Sequence, residues 1–98
     1  MENDQLVGIE LLCRHYHIEP SFIDALGEYG LIEICTDAEN RYISKETVRD
    51  LERMVRMHHE LAINLEGIDT IFHLLERMEH LQQEMNSLRN KLRFYENS

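Results

Sequence analysis

The residues in this chain that could carry chemistry are histidines, cysteines and carboxylates. Six histidines, His15, His17, His58, His59, His73 and His80, invite a metal centre. A zinc site needs ligands that converge, which a sequence announces as HExxH or as Cys and His paired at short spacing. Neither pattern occurs. His73 and His80 are seven residues apart on a helix face turned to water, and His58 and His59 are adjacent, so they point to different sides. Cys13 and Cys35 lack CxxC spacing and read as small buried hydrophobes, with a bridge between them left open. Carboxylates are abundant but spread over solvated faces, without a Gly-rich phosphate loop or a Ser/His/Asp arrangement beside them. No catalytic residue, metal or cofactor is expected, and the chain does not read as an enzyme.

The carboxylates matter more as a charge pattern. The net charge is -9 over 98 residues. Residues 1 to 43 hold Glu2, Asp4, Glu10, Glu19, Asp24, Glu28, Glu33, Asp37 and Glu39 against only Arg14 and Arg41, whereas residues 44 to 98 hold ten acids and eight bases. Nonspecific affinity for nucleic acid comes from Lys and Arg displacing counterions from phosphate, so the first half would be repelled by a duplex. There is no apolar run near the ~18 residues of a membrane span. The acidic opening "MENDQ" cannot serve as the basic region of a signal peptide. A soluble, cytoplasmic protein with no membrane contact is expected.

The elements that position these acids can be read from period and punctuation. From Val7 to Tyr16 the residues Ile9, Leu12, Cys13 and Tyr16 share one side of a short helix. His17 takes the following turn, in a left-handed conformation that His tolerates better than a branched residue. Pro20 suits the first position of a second helix, with Phe22, Ile23, Leu26 and Tyr29 as its apolar stripe, and Gly30 stops it with Leu31 packing back. "LIEIC" and "RYI", separated by "TDAEN", read as a two-stranded wing. Ser44 caps a third helix whose stripe is Val48, Leu51, Val55, His58 and Ala62, widened toward the core by Met54 and Leu61. After a break, Asn64 caps the last helix. A body over 1–63 and a long helix over 64–98 are expected.

That helix is the most regular segment. With Ile71 at heptad position a, the a and d positions are Ile71, Leu74, Met78, Leu81, Met85, Leu88, Leu92 and Tyr95, all apolar. A helix from about residue 65 to about residue 95 would be roughly 45 Å long, more than the small body can cover. The seam therefore needs a partner, most simply a second copy. Thr70, Arg77, Glu84 and Lys91 at g, with Gln82 and Arg89 at e, fit either strand direction.

In this order the elements, with "EYGLI" and "RYIS", resemble the MerR-type winged-helix family, which implies a mainly α fold: a winged helix-turn-helix followed by a C-terminal antiparallel coiled-coil dimer. The second helix departs from that family's DNA readers, for "SFIDALGEYG" contains no base. A narrower resemblance is to the CbpM-type chaperone-modulator family, carried by "HELA", "EGI" and "LR" within residues 56 to 92. It implies binding to the J-domain of a DnaJ-like, CbpA-type co-chaperone, so that the J-domain cannot stimulate its Hsp70. J-domains present a basic helix to Hsp70, and an acidic module complements such a surface. Asp24, Glu28, Glu33, Asp37 and Glu39, with Tyr29 as an aromatic anchor beside them, are the candidate partner-facing residues. The alternative is a small dimeric MerR-type DNA-binding regulator, which the fold alone favours.

Overall fold

A computed structural model describes residues 5–97; Glu2 and Asp4 of the acidic count, and most of "MENDQ", lie outside them. The order is β1 (Leu6–Gly8), α1 (Ile9–Tyr16), α2 (Pro20–Glu28), β2 (Cys35–Asp37), β3 (Asn40–Ser44), α3 (Lys45–Glu60) and α4 (Leu65–Asn97). The plan is mainly helical, with a small antiparallel sheet and a long C-terminal helix.

The sheet corrects the expected two-stranded wing. It has three strands in the order β1-β3-β2, with Val7 opposite Ile43 and Cys35 opposite Tyr42. Helix α1 accordingly starts at Ile9 rather than Val7, because Leu6–Gly8 is extended along β3. A three-residue strand has no period to read, and β3 decides its state from 36 residues away. Strand β2 also starts later than "LIEIC" suggests. Leu31–Ile34 is irregular chain whose Ile32 is buried while Leu31 and Ile34 pack on the core. Its branched residues serve burial rather than a ladder. The hairpin turns over Ala38 and Glu39 between the paired Asp37 and Asn40, with Ala38 at φ 57°.

The helix boundaries follow their punctuation. His17 is left-handed at φ 56°, ψ 50°. Pro20 opens α2, and at its end Gly30 has φ 76° while the N–H groups of Gly30 and Leu31 donate to the carbonyls of Gly27 and Leu26 at 3.0 Å. This paired closure needs a left-handed residue at position 30. Ser44 Oγ accepts the Thr47 N–H at 3.2 Å at the start of α3. Ser44→Ala is expected to cost about 1 kcal/mol of stability, measured as a lower urea midpoint at unchanged slope.

The end of α3 differs from expectation. It stops at Glu60; Leu61 is exposed, and Ala62 is exposed in a left-handed turn at φ 54°. Both leave the stripe because the chain must reverse here, with the Ile63 N–H donating to the Met57 carbonyl at 3.0 Å. Asn64 then accepts the Gly67 N–H at 2.8 Å and starts α4.

The core is formed by Ile9, Leu12, Ile18, Ile23, Leu26, Ile32, Ile43, Leu51, Met54, Val55 and Ile68. Only Ile68 of α4 is buried in it, with Leu65 and Phe72 packed alongside. Only the outer part of this 33-residue helix leaves the body, and the protein measures 59 Å along its longest axis.

Candidate functional site

All five candidate acids are exposed, and the fold distributes them over two places. Asp24 and Glu28 on α2 and Glu33 in the following loop surround one shallow depression with Gly27, Ile32 and Ile34 at its base. The loop lies close to α2 here, for a Cβ on Gly27 would be 2.9 Å from Ile34 Cδ1, the end of a side chain that would have to move aside. Glu39 belongs to another depression, between the hairpin and α1, with Arg14, Arg41 and Tyr42. Asp37 lies at the hairpin tip at the end of β2. Tyr29 is the C-cap of α2, half exposed next to Glu28.

The five are not electrically equivalent. Arg41 of β3 donates from Nη1 to Asp24 Oδ1, forming an ion pair that links α2 to the hairpin. Both side chains are substantially exposed, so the pair is worth at most about 1 kcal/mol. Its larger effect is on the surface, since it consumes the hairpin's only base. Asp24 thus also braces α2 against the hairpin, a role that no local sequence signal reveals because 17 residues separate the two. Glu28 and Glu33 make no ion pair among the described residues. The exposed side of α2, where a DNA reader would present bases, instead presents Ser21, Asp24 and Glu28.

The histidines do structural work. His58 stacks on Phe22 with ring centroids 4.7 Å apart, and its Nδ1 lies 3.1 Å from the Ile63 carbonyl, which holds the α3–α4 corner to α2. His73 Nδ1 reaches the Asp69 carbonyl at 2.8 Å, and this bond together with the Asp69 charge raises its pKa. His80 is 3.8 Å from Glu84. No group of three or more His, Cys, Asp or Glu side chains among the described residues is placed to hold a metal ion. Both cysteines are free. Cys13 packs against the core, where burial pushes its thiol pKa up. Cys35 is exposed on β2, contrary to the expectation of a buried hydrophobe, because the buried residue of this stretch is Ile32.

The second surface is the seam of α4. Ile71 is half-buried near the body, but Leu74, Met78, Leu81, Met85, Leu88, Leu92 and Tyr95 are all exposed, from 51% at Met85 to 75% at Tyr95. A continuous apolar stripe of this length is larger than the isolated exposed apolar residues of an ordinary surface. No described helix is long and apolar enough to cross a membrane.

Residues 7–90 match the family model described as "MerR HTH family regulatory protein". The chain is 24% identical over 95 residues to the chaperone modulatory protein CbpM of Pseudomonas entomophila (strain L48), covering 94% of each chain. It is 28% identical over 81 residues to the protein of that name from Escherichia coli O1:K1 / APEC, covering 82% of this chain and 80% of the relative. No solved structure matches.

Proposed function

This chain belongs to the MerR HTH family of regulatory proteins, and from that premise we propose that it is a CbpM-type chaperone modulator, which binds the J-domain of a DnaJ-like, CbpA-type co-chaperone and prevents its stimulation of Hsp70. The observation that carries this reading is the inversion of charge on the winged helix: α2 exposes acids and no base, and the hairpin's Arg41 is engaged by Asp24. Such a surface is repelled by phosphate and attracted by a basic protein helix, with charge complementarity raising association rate and specificity. Names of the CbpM relatives support the chaperone side of the reading, and Glu28 and Glu33, flanked by Tyr29, are the proposed contacts. Nothing in the role requires catalysis, a metal or a cofactor, and it is performed in the cytoplasm. The seam of α4 makes the modulator a homodimer.

Titration of the full chain against a purified J-domain at low salt is expected to give binding that weakens as salt rises; no binding at low salt would overturn the proposal. Inhibition of J-domain-stimulated ATP hydrolysis by Hsp70 should follow the same titration. Glu28→Lys with Glu33→Lys is expected to weaken binding roughly tenfold, chiefly through slower association, with circular dichroism unchanged. If this variant binds like the parent, the docking face lies elsewhere. The DNA-regulator alternative predicts retardation of random duplex at about 50 mM salt, a condition under which even nonspecific readers bind.

A further inference from the structure

We propose that the outer face of α3 is a docking site for an acidic helix of another protein, one whose carboxylates recur at spacings of three and four. All the Lys and Arg residues of α3 lie on that face. Lys45, Arg49, Arg53 and Arg56 follow one another at spacings of four, four and three. At roughly 100° per residue they fall within a sector of about 80° around the helix. The buried Leu51, Met54 and Val55 occupy the opposite side, so this sector points away from the core and all four bases are exposed. The row runs for about 17 Å along the helix axis. It holds four of the ten Lys and Arg residues of a chain whose net charge is -9. Among the described residues none of the four closes an ion pair. Even Arg53, which shares a depression with Asp50 of its own helix and Glu76 and Glu79 of α4, is left without one.

A row of this kind opposes the helix that carries it. Lys45 and Arg49, Arg49 and Arg53, and Arg53 and Arg56 are like-charge neighbours one turn apart, each a small cost to α3. Lys45 also stands at the positive end of the helix dipole. Residues placed for helix stability would alternate in sign along the row, whereas here the sign changes only across it: Glu46 and Asp50 run along one side and Glu52 lies on the other. That pattern sets the class of partner. A duplex offers a phosphate surface wide enough to meet the flanking acids together with the bases, so it is complementary to α3 only along a line. An extended acidic segment repeats its same-face side chains at about 7 Å, out of step with bases about 6 Å apart along α3. An acidic helix has the same pitch and the same narrow width, so a carboxylate meets each base over three turns. This face is separate from the depression of Glu28 and Glu33, which belongs to α2 and the following loop, so its occupancy is independent of any J-domain bound there.

The probe is a fluorescein-labelled Ala/Gln helix of about 20 residues bearing four Glu at spacings of four, four and three, titrated with the full chain and followed by anisotropy. At about 20 mM salt binding is expected, and it should weaken as salt rises. A control helix with the same four Glu set five residues apart, and so spread around its circumference, should bind several-fold more weakly. Arg49→Gln with Arg53→Gln is expected to weaken binding of the matched helix roughly tenfold, with circular dichroism unchanged. Arg14→Gln with Arg93→Gln removes the same charge elsewhere and should leave that binding within about twofold of the parent. Equal binding of the two helices, equal effects of the two double variants, or no binding of the matched helix at low salt each overturns the proposal. Random duplex DNA bound through Arg49 and Arg53 more tightly than the matched helix would make the face a nucleic-acid surface, and overturns it as well.

Discussion

Leu81→Glu together with Leu88→Glu is expected to turn the proposed dimer into a monomer while leaving the body folded. In the isolated chain these side chains are 53% and 64% exposed, so placing carboxylates there costs the protomer little. In the dimer each substitution occurs twice, so four leucines are lost from the seam and four carboxylates face apolar neighbours. Burying a Leu side chain contributes about 1.5–3 kcal/mol, and an unpaired charge in its place adds a desolvation penalty. A loss of dimer affinity exceeding roughly 1,000-fold follows. Light scattering should report the halved mass, and circular dichroism should retain the body's helices while losing signal from the outer part of α4, since a lone helix of that length is marginal in water. A variant that stayed dimeric would place the interface on another surface.

Ile68→Ala should give the largest stability loss of any single truncation in α4. Ile68 is fully buried, the only residue of α4 within the core, so its removal leaves a cavity between α4 and the body. A loss of roughly 2–5 kcal/mol is expected, against a total near 5–15 kcal/mol for a domain of ordinary stability. Urea denaturation of the monomeric Leu81→Glu, Leu88→Glu variant measures this without the concentration dependence of a dimer. Leu75→Ala, at a site already 37% exposed, serves as the comparison and should cost well below half as much. Equal, small losses at both positions would mean that α4 is merely appended to the body. A loss confined to Ile68 means that its first turns are part of the folding unit, and that whatever docks on the body also reports on the position of the long helix.

Legibility in the sequence followed how local each cause was. Pro20, Gly30, Ser44 and Asn64 announce helix ends because each acts on backbone groups within a few residues, and the structure places all four in those roles. His17 in its left-handed turn belongs with them. The seam was equally legible, because a seven-residue period requires only the helix itself. By contrast, Leu6–Gly8 becomes a strand only because β3 is beside it, and Leu61 leaves its stripe only because the chain reverses at Ala62.

The candidate site divides in the same way. The acidity of the first half and the absence of bases from α2 are properties of the sequence that argue against nucleic acid, whereas a basic protein partner enters through the family resemblance of residues 56 to 92. The tertiary structure decided which acids remain available. It engages Asp24 with Arg41, gathers Glu28 and Glu33 around one depression, and sends Asp37 and Glu39 to the hairpin. Charge composition and helical period are additive along a chain, so they survive without a fold. Pairing across 17 residues, and the choice of Ile68 as the point where α4 joins the core, depend on distances that do not exist until the chain has closed on itself.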